Sequence, residues 1–152
     1  MSVESVKAYF LEKNLPYKVM EFKESTETVE RAAQALGVAP ALIAKSLAFK
    51  VNDRAVLVVT KGVARIDNQK FKKAFQAKAR MMSPDEVLEI TGHLVGGVCP
   101  FGLSHPMEIY LDESLRPFER VYPAAGSRNS CIEINPEELA EVLGAPWIDV
   151  CK

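Results

Sequence analysis

The residues best placed to do chemistry sit in one short stretch, "GGVCPFG" at 96–102, where three glycines and a proline surround Cys99. A thiol acts as a nucleophile when a base comes within hydrogen-bond reach. The chain offers two histidines, His93 and His105, with Asp112 available to orient one of them. His93, Cys99 and His105 also admit a metal reading, although H-x5-C-x5-H is not a usual structural zinc spacing. Nothing around Cys99 matches a cysteine-hydrolase signature. The glycines point elsewhere. Gly96, Gly97 and Gly102 permit backbone conformations and close approaches that other residues resist, and Pro100 stiffens the turn between them. Such a loop can aim several N–H groups at one oxygen, as an anion nest or oxyanion hole does. A tight turn with no ligand satisfies the same composition. A second small-residue turn, "AAGSRNS" at 124–130, can supply the opposite wall.

The other residue of interest is a lysine. "ALIAKSLAFKV" places Lys45 at the head of a strand, where alternation puts it on the side of Leu47, Phe49 and Val51, with Ala44, Ser46, Ala48 and Lys50 on the other. If the large apolar residues face inward, Lys45 enters the interior or a pocket mouth. A buried ammonium is costly unless it meets oxygen acceptors or an anion. A strand-end lysine whose stem packs while its head reaches water fits the same pattern.

The elements that must position these residues are marked by strong local signals. A first helix spans about Ser2 to Lys13, with Val6 and Phe10 on one face. "YKVMEF" reads as a short strand. "STETVERAAQALGV" reads as a helix with a Thr N-cap and Gly37 as its stop. "KSLAFKV" and "RAVLVVT" form a hairpin through Asn52-Asp53. Asp67 caps a basic helix carrying Phe71 and Phe75. In "SPDEVLEITG", Ser83 caps, Pro84 takes the first helical position, Glu86 completes a capping box and Gly92 ends the helix. "MEIYL", "RVY" and "CIEI" read as strands, "NPEELAEVLG" as another capped helix, and "WIDVC" as a closing strand. Interleaved helices and strands with hairpin-length connections predict a mixed α/β fold, with a partly antiparallel sheet flanked by helices.

Length and composition bound the rest. The chain has 152 residues, 48% hydrophobic and 26% charged, and reads as one soluble globular domain over 1–152. No apolar run approaches the ~20 residues of a membrane helix, and the N-terminus resembles no secretory or transit signal. A cytoplasmic location is expected. Three cysteines, Cys99, Cys131 and Cys151, without a C-x-x-C pair, argue against a disulfide framework or a zinc ribbon. The net charge is −1, but charge is unevenly spread. Residues 61–80 hold Lys61, Arg65, Lys70, Lys72, Lys73, Lys78 and Arg80 against Asp67 alone, while 133–149 hold five acids and no base. Such a segment can meet phosphates, or it can be a solvated helix face.

Taken in order, the lysine in "IAKSL", the loop "GGVCPFG" and the late "AGSRNSCIEINPEEL" resemble the YbaK/ProX family, free-standing relatives of the editing domain inserted in bacterial prolyl-tRNA synthetase. The order and spacing run through nearly the whole chain. The resemblance implies a curved, mixed sheet flanked by helices. It also implies hydrolysis of the ester joining a wrong amino acid to tRNA, most often tRNA(Pro) carrying a small residue such as Ala, Cys or Ser, and the tRNA acceptor end and a prolyl-tRNA synthetase as partners. No metal or cofactor is implied.

Carried onto this chain, the resemblance gives Lys45, Gly97 and Gly102 the catalytic step, the ammonium at the ester and the glycine-loop N–H groups at the carbonyl. It lines the substrate pocket with Ser46, Gly96, Val98, Cys99, Pro100 and Phe101 on one side, and Gly126, Ser127 and Cys131 on the other. No side chain serves as an obvious general base; a ribose hydroxyl of the tRNA, or the substrate's own side chain, helps. Relatives often carry Ser where Cys99 stands, which makes Cys99 a lining residue. Cysteine-specific relatives tend to carry an acid near Cys131, so cysteinyl specificity is not implied. Lys61, Arg65, Lys70, Lys72 and Lys73 become candidate acceptor-stem contacts. Two alternatives stay open: an inactive aminoacyl-tRNA or nucleotide-binding module, and a cysteine hydrolase using Cys99.

Overall fold

A computed structural model describes residues 2–152. Two long strands form its centre, β2 (Ile43–Val51) and β3 (Arg54–Lys61), paired antiparallel through the Asn52-Asp53 turn. Val56, Leu57, Val58 and Val59 of β3 are all fully buried. A continuous apolar run of that kind belongs to a strand covered on both faces. Parallel pairing adds β4 (Glu108–Asp112) beside β3, β7 (Trp147–Ile148) beside β4, and β5 (Tyr122–Pro123) beside β2. The five-stranded order is therefore β5-β2-β3-β4-β7, the mixed sheet expected from the sequence. A separate antiparallel pair joins β1 (Met20–Glu21) to β6 (Ser130–Cys131).

Among the described residues, five α-helices cover this frame: α1 (Ser2–Glu12), α2 (Val29–Leu36), α3 (Asn68–Phe75), α4 (Pro84–Thr91) and α5 (Pro136–Leu143). Their ends follow local chemistry. Thr28 caps α2 by accepting the Arg31 N–H, and Gly37 ends it at φ 71°, a left-handed conformation that glycine adopts without strain. Asp67 caps α3 through the N–H groups of Gln69 and Lys70. At α4, Ser83 accepts the Glu86 N–H while the Glu86 carboxylate accepts the Ser83 N–H, a complete capping box.

The two faces of the sheet carry different cores. Phe49 and Val51 of β2 and Val56 and Val58 of β3 pack against Phe71 and Phe75 of α3. Ring centroids step 4.8 Å from Phe49 to Phe71, 4.6 Å to Phe75 and 5.2 Å on to Tyr110. Each fully buried ring stabilises the fold by roughly 1.5–3 kcal/mol through area alone. On the opposite face, Ala44 and Val59 join Val6 and Phe10 of α1, Phe101, Leu111, Ile132 and Leu139. Ala48 and Leu57 meet Met82 and Val87 at α4. Along β2 the side chains on this second face are small, Ala44, Ser46 and Ala48, and they leave room above the strand.

Candidate functional site

That room is a cavity of about 320 Å³. Its floor is β2 from Ile43 to Ala48, and its walls come from four places. Residues 26–29 and Ala32 at the start of α2 form one, and Met81, Met82, Pro84 and Val87 at the entry to α4 form another. Val95, Gly96 and Val98 of the glycine loop supply a third, with Tyr122, Ala124 and Cys131 opposite. The lining is mostly apolar with a few polar groups, the composition of a small-molecule pocket.

Three segments lock together at the loop's rim. Arg128 donates from Nε to the Val95 carbonyl at 3.0 Å and pairs with Glu27 at 3.5 Å. Glu27 also holds Arg31, one turn along α2, at 3.3 Å. The Gly126 N–H donates to the Gly97 carbonyl at 3.0 Å, and the Thr26 N–H to the Arg128 carbonyl at 2.6 Å. Gly96 has φ 99°, and a Cβ there would stand 2.8 Å from the Glu27 Cβ. The glycines thus serve close packing of the loop against its neighbours, as the sequence suggested for their backbone freedom.

Lys45, Ser46, Gly96, Val98 and Cys131 all line the cavity. The Lys45 ammonium is half-buried and donates to the Ala64 carbonyl at 2.5 Å. Burial lowers its pKa; Arg65 nearby acts in the same direction, while Cys151 and Glu30 oppose it. Cys131 is buried, and that burial pushes its thiol up to about 11.

The remaining loop residues lie elsewhere. Cys99 is fully buried in the core beside Phe101, not on the cavity wall. Its Sγ is 3.6 Å from His93 Nε2, but that nitrogen is 2.8 Å from the Phe101 carbonyl, which can only accept, so it is an N–H and not a base. Burial pushes the Cys99 thiol up to about 12 and moves the His93 pKa down. A neutral, inaccessible thiol beside a donor nitrogen is no activated nucleophile. Asp112 accepts the Ser114 and Val150 N–H groups, each at 2.9 Å, and so clamps backbone, while His105 is exposed. Among the described residues no three His, Cys, Asp or Glu side chains gather as metal ligands.

Phe101 is a core ring, its centroid 4.9 Å from that of Phe10. Pro100 and Gly102 border a different depression beside α1, and a Cβ on Gly102 would stand 2.6 Å from the Ser5 carbonyl oxygen. The Gly97 N–H is taken by the Leu94 carbonyl at 2.9 Å. Neither Gly97, whose N–H is so engaged, nor Gly102 is among the residues that line the cavity. Gly126 and Ser127 stand behind the rim, the Ser127 hydroxyl bonding Ser130 and Asn129.

In the basic segment, Arg65, Lys72 and Lys73 are exposed and Lys61 is half-buried. Lys70 is engaged within the fold, with Asp149 at 3.1 Å and the Cys151 carbonyl at 2.9 Å. Thr26, Val29, Met81, Met82, Val87 and Tyr122 carry no motif, and sequence reading missed them as lining. The run of small residues Ala44, Ser46 and Ala48 on one face of an otherwise bulky strand was the signal available for the cavity floor.

Comparison with known proteins agrees with this geometry. YwhH, an uncharacterized protein of Bacillus subtilis (strain 168), is 53% identical over 100% of this chain and 98% of its own length. EbsC of Enterococcus faecalis (strain ATCC 700802 / V583), proposed to be a Cys-tRNA(Pro)/Cys-tRNA(Cys) deacylase, is 28% identical over 90% of this chain and 85% of its own. A crystal structure proposed to be a trans-editing enzyme for prolyl tRNA synthetase superposes with a TM-score of 0.92 at 34% identity, covering 99% of this chain and 97% of that one. The aminoacyl-tRNA editing domain model matches residues 23–142. The chain belongs to the aminoacyl-tRNA editing domain family, whose chemistry is hydrolysis of the ester between an amino acid and its tRNA.

Proposed function

We propose that this protein acts in trans in the cytoplasm, removing a small non-cognate amino acid such as Ala, Cys or Ser from mischarged tRNA, tRNA(Pro) in the first instance. The observation that carries the reading is that Lys45, whose ammonium bonds the Ala64 carbonyl, lines the same apolar cavity as Val95, Gly96 and Val98. A synthetase pocket discriminates weakly among small side chains, about 1–3 kcal/mol per methylene, so a second site must remove what the first accepts.

In this reading the aminoacyl group enters the cavity, and the terminal ribose stays near Lys45. Water adds to the ester carbonyl, and the C–O bond to the ribose breaks. Of the water's two protons one ends on the ribose oxygen and the other passes to solvent, and the amino acid leaves as its carboxylate. The ammonium of Lys45 exchanges the Ala64 carbonyl for an oxygen of the substrate and stabilises the developing negative charge. Because the Gly97 N–H is engaged, the donors at the rim are the N–H groups of Gly96 and Val98. Ser46 and Cys131 contact the amino acid, and exposed Lys72 and Lys73, with Arg65 and Lys61, attract acceptor-stem phosphates. A prolyl-tRNA synthetase, source of the mischarged tRNA, is the expected protein partner.

The test is to incubate the protein with tRNA(Pro) charged with Ala, Cys, Ser or Pro. Release of one or more non-cognate residues, with Pro-tRNA(Pro) spared, supports the reading. Binding without hydrolysis assigns a binding module instead.

A further inference from the structure

The rim from Val95 to Val98 contains three peptide planes. In the second, the Gly97 N–H donates to the Leu94 carbonyl at 2.9 Å; in the third, the Gly97 carbonyl accepts the Gly126 N–H at 3.0 Å. Backbone therefore fixes both. The first plane, between Val95 and Gly96, has no backbone partner among the described residues. Its Val95 carbonyl accepts from Arg128 Nε at 3.0 Å. A single side chain holds it.

This plane is also the one with least steric resistance to turning over. Gly96 has φ 99° and Gly97 follows it, so neither residue carries a Cβ to oppose rotation. In a trans peptide the C=O and N–H point in opposite directions. Fixing the Val95 oxygen toward Arg128 therefore fixes the Gly96 N–H away from it. Gly96 lines the cavity, and Arg128 is not among the lining residues. A cation on the carbonyl also polarises the amide and strengthens its N–H as a donor. The guanidinium is itself aimed. Glu27 stands 3.5 Å from Nε and is shared with Arg31 at 3.3 Å, and the Arg128 carbonyl accepts the Thr26 N–H at 2.6 Å.

We infer that Arg128 is a positioning residue for the hydrolysis: by holding the Val95 carbonyl it keeps the Gly96 N–H turned to the ester oxygen on which negative charge develops. The inference rests on the editing reading above. Arg128 and Glu27 are both partly exposed, and such pairs add little to stability. Loss of Arg128 is therefore felt in turnover before it is felt in folding.

The experiment measures kcat and KM, with thermal melting, for the wild type, Arg128→Ala and Arg128→Lys, on the mischarged tRNA(Pro) that the wild type cleaves fastest. One oxyanion donor is worth about 10²–10³-fold in kcat, so a donor turned away most of the time is expected to lower kcat at least about tenfold. KM stays within about twofold, because the interaction is made in the transition state. Arg128→Lys keeps the charge without the guanidinium and is expected to resemble Arg128→Ala, whereas added ethylguanidinium restores part of the kcat of Arg128→Ala. An unchanged kcat in folded Arg128→Ala overturns the inference and leaves the editing reading standing. A raised KM that Arg128→Lys recovers also overturns it, making Arg128 a phosphate contact. So does a fall in kcat that follows a lower melting temperature and that ethylguanidinium leaves unrestored, since the residue is then structural. If the wild type cleaves no ester, the editing reading falls and this inference with it.

Discussion

Gly97 lies directly against Ser127: a Cβ on Gly97 would stand 2.8 Å from the N, C and O atoms of that residue's backbone. Backbone cannot move aside as a flexible side chain can, so the two turns that frame the cavity are held at a distance only glycine allows. Gly97→Ala is expected to cost about 1–3 kcal/mol by overpacking and to spread the 95–98 rim from its neighbours. Chemical denaturation measures the first effect. A loss of deacylation beyond the loss of folded protein measures the second.

Cys99 and His93 form a buried tie for the loop, not a catalytic pair. Cys99→Ala is expected to destabilise the fold by about 1 kcal/mol or more through the small void it leaves, while the folded fraction keeps most of its turnover. Abolished hydrolysis in a folded Cys99→Ala protein would restore the thiol as nucleophile. In the native protein Cys99 is fully buried away from the cavity, so a thiol reagent is expected to label it only as the chain unfolds.

The basic helix α3 separates into two kinds of lysine. Lys72 and Lys73 are exposed, whereas Lys70 is bound to Asp149 and the Cys151 carbonyl. Reversing Lys72 and Lys73 to Glu is expected to weaken tRNA binding and to reduce the slope of log K against log salt by about 0.7–0.9 per lost phosphate contact. Titrations at several ionic strengths check this. An unchanged slope would make both lysines solvated surface. Lys70→Glu is expected to lower thermal stability even without tRNA.

Stability toward acid should depend on the entry to α4, which forms one wall of the cavity. The Lys50 ammonium and the Ser83 backbone N–H hold the Glu86 carboxyl down to about 2, against an ordinary value of 4.5. A folded-state value below the unfolded one contributes stability above about pH 4.5 that is lost as pH falls toward 2. Wild type is therefore expected to melt above Glu86→Gln at pH 7, with the gap narrowing below about pH 4.5 and closing only near pH 2. A gap constant across that range would contradict the assignment.

How much of this was legible in the sequence depended on how local the cause was. The caps at Thr28, Asp67, Ser83 and Asn135 are satisfied within a few residues, and their helices begin where the sequence indicated. The β2–β3 hairpin was legible for the same reason. Strands whose partners lie far along the chain were not: "YKVMEF" contributes only Met20–Glu21, paired with Ser130–Cys131, while in "CIEI" Cys131 and Ile134 also make isolated bridges to Ala124 and Val121. "WIDVC" contributes Trp147–Ile148, with Cys151 bridging separately to Ile66. The site divided likewise. Strand alternation singled out Lys45, and Ser46 came with the family resemblance; both line the cavity, but the loop's glycines said only that close approach was needed, not what was approached. Gly102 turned out to face Ser5 on α1, and Cys99 to face the core.

The central claim is that the Lys45 ammonium, on a residue that lines the same cavity as Gly96 and Val98, drives hydrolysis. Single-turnover deacylation of a mischarged tRNA(Pro) by Lys45→Ala tests it most directly, with circular dichroism confirming that the variant is folded. Loss of the charge is expected to slow release by about 10²–10³-fold. A folded Lys45→Ala protein that cleaves within about threefold of the wild-type rate, well under the ~1.4 kcal/mol that a tenfold change represents, would contradict the account.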